Sequence, residues 1–144
     1  MSLSVHHLRH TADTLEQAII HLKATSADDA VLYDLFRNAA IKSFELSLET
    51  SGKLLRKVLK FYSGAPREVD RLVFNDLFRH ANRHGILDEA TTERWLAYRA
   101  NRNNTAHDYG VQFAEKTLVL LPIYLADVRA LADALQAVFA AQYE

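Results

Sequence analysis

The scarcity of residues that turn the chain is the feature that most limits its fold. Only four Gly and two Pro occur in 144 residues, whereas 49% of the residues are hydrophobic. An all-β fold would need turn residues at intervals of about 8–12 residues. Long helices need few turns, so we expect an all-α fold, a four- to five-helix up-down bundle that forms a single domain over residues 1–144.

Apolar residues at helical spacing predict five helices, separated by polar or turn-forming stretches. The predicted helices cover residues 4–24, 29–62, 66–84, 88–110 and 113–143. Pro66 suits a first turn, Asp88 is a good N-cap, and Gly110 can end the fourth helix. Pro122 lies inside the fifth predicted helix, so we expect a kink or a restart there.

Composition limits the compartment and the electrostatics. Seventeen Lys and Arg oppose eighteen Asp and Glu, for a formal charge of −1, so no global positive field attracts nucleic acid. Any RNA contact has to come from a local patch or from a cleft between two chains. The absence of Cys excludes disulfides and thiolate chemistry and fits a reducing compartment. Since no apolar run approaches the roughly 20 residues of a membrane span, we expect a cytoplasmic protein without membrane contact.

One segment carries chemistry that folding does not require. Residues 102–109 read Arg-Asn-Asn-Thr-Ala-His-Asp-Tyr. Arg is a permanently charged fork that suits phosphate, and His exchanges a proton near neutral pH. Together, Arg102 and His107 indicate work on a phosphodiester or a nucleotide.

A helical wheel at about 100° per residue shows which face of the fourth helix these residues share. The predicted solvent face consists of Arg94, Ala97, Asn101, Asn104 and Asp108. The opposite arc holds apolar residues such as Trp95, Leu96, Tyr98, Ala100 and Ala106, together with Arg99, Arg102, Asn103, His107 and Tyr109. Burying charged and amide groups unpaired would cost several kcal/mol. They are therefore expected to line a cleft, meet a partner surface, or be satisfied inside the fold.

Arg102 and His107 are five residues apart, so they diverge by about 140° on a regular helix. They can converge on one phosphate if the helix loosens after Asn103, or if two copies meet across a twofold axis. We favour the homodimer. The predicted chemistry is RNA cleavage without a metal or cofactor, in which His107 transfers the proton and Arg102 holds the phosphate. In the alternative interpretation, both side chains only satisfy helix-end carbonyls and carboxylates.

The segment resembles the Arg-x4-His-x-Tyr motif of HepT-like toxins in the HEPN family, also described as nucleotidyltransferase substrate-binding proteins. Two further blocks agree in order: Phe44-Glu45-Leu46-Ser47 with Glu49 and Lys53-Leu54-Leu55, and then Pro66-Arg67-Glu68-Val69. The resemblance covers about residues 30–135. It departs at Gly52, where many relatives have Trp, and the stretch from Phe74 to His84 is longer than usual.

This resemblance implies a dimeric toxin that cleaves RNA and is encoded beside a nucleotidyltransferase antitoxin. Arg102 and His107 would be catalytic, and Asn103 fits the polar position after the Arg. Tyr109 would be the residue to which the antitoxin adds AMP. Phosphate groups two residues from His107 would place negative charge where RNA phosphates should bind. The alternative is a non-catalytic nucleotidyltransferase substrate-binding subunit.

Several other residues have competing interpretations. Glu49 and Lys53 are spaced for an ion pair along one helix, although Glu45 or Glu49 could instead orient Arg99 or Arg102 as support for the site. His80 and His84 are spaced for a metal, but we predict no metal site because no further ligand pattern supports one. The aromatic rings of Phe44, Trp95 and Tyr98 are expected to be core residues rather than surfaces for stacking RNA bases.

Overall fold

The computed structural model describes the backbone of residues 4–26, 28–107 and 111–143, and the side chains of residues 4–26, 28–102 and 115–141. Within these residues the chain forms α-helices and no strand, which confirms the predicted all-α class. The helices are α1 (His6–Ala24), α2 (Ala30–Leu59), α3 (Pro66–Asp70), α4 (Phe74–Arg83), α5 (Glu89–His107) and α6 (Val111–Tyr143).

The prediction of one helix over residues 66–84 is wrong. Helix α3 ends at Asp70, and Val73 has an extended backbone before α4 begins. Val69 and Phe78 are nine residues apart, so on one straight helix they would point in opposite directions. Breaking the helix between them allows both side chains to be buried.

Helix α6 continues through Pro122 without a restart. Proline cannot donate to the carbonyl of Leu118, which is the usual reason for a break. Pro122 lies on the exposed side of α6, where water can hydrogen-bond to that carbonyl. No helix in the described ranges is both long and apolar enough to cross a membrane.

Ion pairs between distant parts of the chain show how the helices run. Arg9 of α1 contacts Asp133 of α6 at 2.8 Å, while Arg129 of α6 contacts Glu16 of α1 at 2.8 Å. The contact that lies later in α1 involves the earlier residue of α6, so these two helices are antiparallel. Helix α5 also runs antiparallel to α6, because Asn101 contacts Thr117 whereas the earlier residue Arg94 contacts the later Asp127.

An aromatic cluster joins four helices at the centre of the molecule. It consists of Phe44 from α2, Phe78 from α4, Trp95 and Tyr98 from α5, and Tyr124 from α6, all of them buried. The ring centres of Phe78 and Trp95 are 4.8 Å apart, and those of Phe44 and Tyr124 are 4.7 Å apart. Such pairs add about 0.5–1.5 kcal/mol each to the energy of burial. The cluster confirms these aromatics as core and fixes α5 against three other helices.

Candidate functional site

Helix α5 carries most of the predicted site. Its start is capped by Asp88, whose carboxylate accepts a hydrogen bond of 2.7 Å from the backbone N–H of Thr91. That bond lowers the pKa of Asp88. At the other end α5 reaches His107, and Arg99 and Arg102 are both half-buried. The predicted positions Asn103, His107 and Tyr109 have side chains outside the described part of the structure.

The solvent face of α5 differs from the predicted one. Ala100, expected on the covered side, is exposed together with Ala97. Asn101, expected in solvent, is half-buried and donates from Nδ2 to the hydroxyl of Thr117 at 2.8 Å. Arg94 remains 43% exposed yet reaches back to Asp127. Both polar contacts run from α5 to α6, and Arg99 and Arg102 lie on the partly covered side of α5 as predicted.

The backbone bears on how Arg102 and His107 could meet. Helix α5 remains α-helical as far as His107, so it does not loosen after Asn103. Five residues on a regular helix correspond to a divergence of about 140° and a rise of about 7.5 Å. The backbone therefore does not show the loosening that would bring the two side chains of one chain together, and the site shared between two copies stays a prediction.

Arg99 rests on an aromatic ring rather than against a carboxylate. Its guanidinium carbon lies 5.3 Å from the ring centre of Phe74, the first residue of α4. Among residues 4–26, 28–102 and 115–141, no carboxylate lies within ion-pairing distance of Arg99. The ring orients the guanidinium without neutralising its charge.

Glu49 pairs with Lys53, as the spacing of the two residues along α2 predicts. Its carboxylate lies 3.2 Å from the Lys53 ammonium, and the Glu49 side chain is 63% exposed. An exposed pair of this kind adds little to stability. The described carboxylates include no ion-pairing partner for Arg99, so the predicted support from Glu49 does not apply to Arg99, and for Arg102 it stays a prediction.

A buried carboxylate that the sequence analysis missed fastens α5 to α6. Asp127 accepts hydrogen bonds from the Tyr98 hydroxyl at 2.5 Å and from Arg94 Nε and Nη2 at 2.8 and 2.9 Å. The bidentate Arg contact holds both carboxylate oxygens in a fixed orientation. A signal was present in the sequence, because Asp127 occupies a core-face position between Tyr124 and Leu131. An acidic residue at such a position requires partners on a facing helix.

Two buried tyrosines complete the polar part of the core. The Tyr124 hydroxyl is hydrogen-bonded to the Ser47 hydroxyl, which also donates to the Phe44 carbonyl. Burial raises the pKa of Tyr98, as does its bond to Asp127, and burial raises the pKa of Tyr124. Both phenols are therefore neutral at pH 7 and act as structural hydrogen-bonding groups.

The remaining histidines do not form a metal centre in the described part of the molecule. No group of three or more His, Cys, Asp or Glu side chains among the described residues is arranged to hold a metal ion. His80 and His84 border a cavity of about 510 Å³ with Glu68, and the His84 ring stacks on Tyr62 with centres 4.8 Å apart.

Comparison with known proteins places the chain in a family. Residues 5–137 match the family described as nucleotidyltransferase substrate binding protein like, and the chain belongs to that family. This match confirms the resemblance on which the sequence analysis relied.

Two comparisons, one of sequence and one of structure, find similarity to Haemophilus influenzae protein. In the sequence comparison, a protein named probable ribonuclease HepT is 28% identical over 99 residues, covering 67% of this chain and 66% of that protein, just under two-thirds of its length. In the structure comparison, the match is a solved structure described as the fold of a substrate binding domain of a nucleotidyltransferase. It superimposes with a TM-score of 0.79 at 23% identity, covering 92% of this chain and 99% of that chain. The second comparison shows the shared fold.

Proposed function

We propose that this protein is a HepT-like HEPN toxin, an endoribonuclease that cleaves RNA without a metal ion. The observation that carries the proposal is the pair of half-buried cations on one side of α5, Arg99 and Arg102, on the helix that ends at His107. The buried carboxylate of Asp127 binds Arg94 and therefore has a structural role rather than a place in this site. The similarity to a probable ribonuclease HepT supports the same activity.

The chemistry uses a nucleophile that RNA itself supplies. The 2′-oxygen attacks the neighbouring phosphorus, the bond to the 5′-oxygen breaks, and the products are a 2′,3′-cyclic phosphate and a 5′-hydroxyl. His107 either accepts the 2′-hydroxyl proton or protonates the leaving 5′-oxygen, and solvent water carries out the other of these two proton transfers. Arg102 binds the phosphate and stabilises the charge that develops on it. Because the nucleophile belongs to the RNA, no water molecule has to be activated as a nucleophile.

The active form is a homodimer whose two α5 helices face a shared cleft. The regular backbone of α5 supports this, because one helix cannot direct Arg102 and His107 at the same phosphate. Exposed apolar side chains near this end of the bundle offer a contact surface: Val119 is 76% and Ile123 55% exposed. Val119 lies within one turn of Thr117, which contacts α5 through Asn101. Two sets of Arg99 and Arg102 would supply the positive field that the net charge lacks.

The partner is a small nucleotidyltransferase that acts as the antitoxin and adds AMP to Tyr109. The family to which the chain belongs supports such a partner. Added phosphates would repel RNA electrostatically and occupy its site. After co-expression with the partner, we expect the intact mass to increase by one or more AMP units, and peptide mapping should place them on Tyr109. AMP on another residue, or none, would contradict this assignment.

The direct test is cleavage by unmodified protein. Purified protein produced without the partner should cut single-stranded RNA in the presence of a chelator, and the fragments should carry 2′,3′-cyclic phosphate ends. No cleavage by protein whose mass shows no modification would contradict the nuclease proposal. It would favour the second candidate, a non-catalytic substrate-binding subunit, which the description of the structurally similar domain supports. That candidate predicts a tight complex with the nucleotidyltransferase and intact RNA.

A further inference from the structure

The position of Arg99 is set by a series of contacts that reaches into the core. Its guanidinium carbon lies 5.3 Å from the centre of the Phe74 ring. Phe74 packs on Phe78 with ring centres 4.6 Å apart, and Phe78 stacks on Trp95 at 4.8 Å. Phe78 and Trp95 are fully buried, so the ring under Arg99 rests on a rigid base.

Gly52 provides the space into which the Phe74 ring fits. A Cβ atom at this position would lie 3.2 Å from Phe74 Cδ2, closer than an ordinary van der Waals contact. Glycine inside a helix costs about 1 kcal/mol relative to Ala. Its presence in the middle of α2 is explained by the close approach of Phe74. The ring therefore packs closely against α2 at Gly52 and against Phe78.

A ring affects an arginine differently from a carboxylate. A carboxylate would orient Arg99 but would also cancel its charge for any anionic ligand. The face of an aromatic ring attracts the cation while leaving its N–H groups available at the edge. Among the described side chains, no carboxylate pairs with Arg99. This environment suits an arginine that binds an anionic ligand.

We propose that Phe74 is a positioning residue that holds Arg99 as a second phosphate contact, so that the site grips two successive phosphates of one RNA strand. The inference rests on the proposed ribonuclease function. Arg99 and Arg102 are three residues apart, about 60° around the helix and about 4.5 Å along it. Arg102 then binds the phosphate that reacts, and Arg99 binds its neighbour. Arg99 contributes binding of the strand rather than chemistry.

The test measures binding of a short single-stranded RNA by fluorescence anisotropy over a series of salt concentrations. All variants are made in a His107→Ala background, so that cleavage does not interfere. Arg99→Ala should weaken binding and lower the salt slope by about 0.7, the loss of one phosphate contact on a single strand. Phe74→Leu, which keeps an apolar side chain but removes the ring, should weaken binding about two- to fivefold. Phe74→Tyr keeps the ring face and should bind as the parent does.

A double variant distinguishes positioning from general loosening of the fold. If Phe74 acts through Arg99, then Phe74→Leu combined with Arg99→Ala binds no more weakly than Arg99→Ala alone. The matched charge control is Arg79→Ala, which removes an exposed Arg that pairs with Asp76 on α4 and should leave binding unchanged. Additive losses, or an unchanged salt slope in Arg99→Ala, would overturn the inference. If Phe74→Leu fails to fold, the salt slope of Arg99→Ala still decides whether Arg99 contacts a phosphate, and an unchanged slope overturns the inference.

Cleavage assays with protein that retains His107 separate this inference from the proposed function. In that form, Arg99→Ala should raise KM for RNA more than it lowers kcat, because it removes binding that substrate and transition state share. Cleavage that is unaffected by Arg99→Ala would refute the second phosphate contact and leave the nuclease intact. Neither cleavage nor RNA binding by the parent protein would overturn both.

Discussion

Replacing His107 with Ala is expected to reduce RNA cleavage by about 10² to 10⁴-fold, the range that positioned acid-base catalysis contributes. The loss should appear in kcat, because the proton transfer occurs in the transition state rather than in the bound substrate. It is measured with chelator present on protein of confirmed unmodified mass. His10→Ala is the matched control, since His10 is an exposed histidine on α1. Equal rates for parent and His107→Ala would exclude His107 as the acid-base residue.

Mixing two inactive variants tests whether the site is shared between chains. Arg102→Ala and His107→Ala subunits, co-expressed with different tags, should form mixed dimers in which one of the two clefts has an intact Arg102 and an intact His107. Random pairing would restore about one quarter of the parent activity, because half of the dimers are mixed and each has one complete site. A site within a single chain would give no recovery. The experiment thus tests the arrangement that the regular backbone of α5 favours.

The fold could be predicted because its determinants are local or act through simple periodicity. Few Gly and Pro, together with apolar residues at helical spacing, predict long helices and a core that includes Phe44, Trp95 and Tyr98. The break between α3 and α4 could not be read in this way. On a single helix, Val69 and Phe78 would lie on opposite faces, yet both are buried in the same core. The break between α3 and α4 therefore depends on tertiary packing rather than on local periodicity.

The site was predictable only in part, for the same physical reason. The covered position of Arg99 and Arg102 follows from the helical wheel, which needs only the sequence of α5. The partner of Arg99 does not, because Phe74 lies on another helix and reaches it only through the space at Gly52. The sequence suggested a carboxylate from α2 for this role, and Glu49 instead pairs with Lys53. Contacts between helices depend on a register that one sequence does not reveal.

Replacing Asp127 with Ala is expected to lower the free energy of unfolding by about 2–3 kcal/mol. Most of this comes from the Tyr98 hydroxyl, which is buried and would lose its acceptor, since an orphaned buried polar group costs about 1–3 kcal/mol. Arg94 contributes less, because at 43% exposure it can turn towards water. Urea unfolding followed by circular dichroism gives the change. The same variant should weaken RNA cleavage only indirectly, through loss of the contact that holds α5 on α6.

A second substitution shows which partner of Asp127 accounts for the loss. Adding Tyr98→Phe to Asp127→Ala removes the orphaned hydroxyl, so the double variant should be more stable than Asp127→Ala alone. Tyr98→Phe by itself should cost only about 1 kcal/mol, because Asp127 keeps its two hydrogen bonds from Arg94. If the double variant is instead less stable by the sum of the two single losses, then Tyr98 and Asp127 act independently. The stability that holds α5 in place would in that case come from the ion pair with Arg94 and the aromatic packing around Trp95.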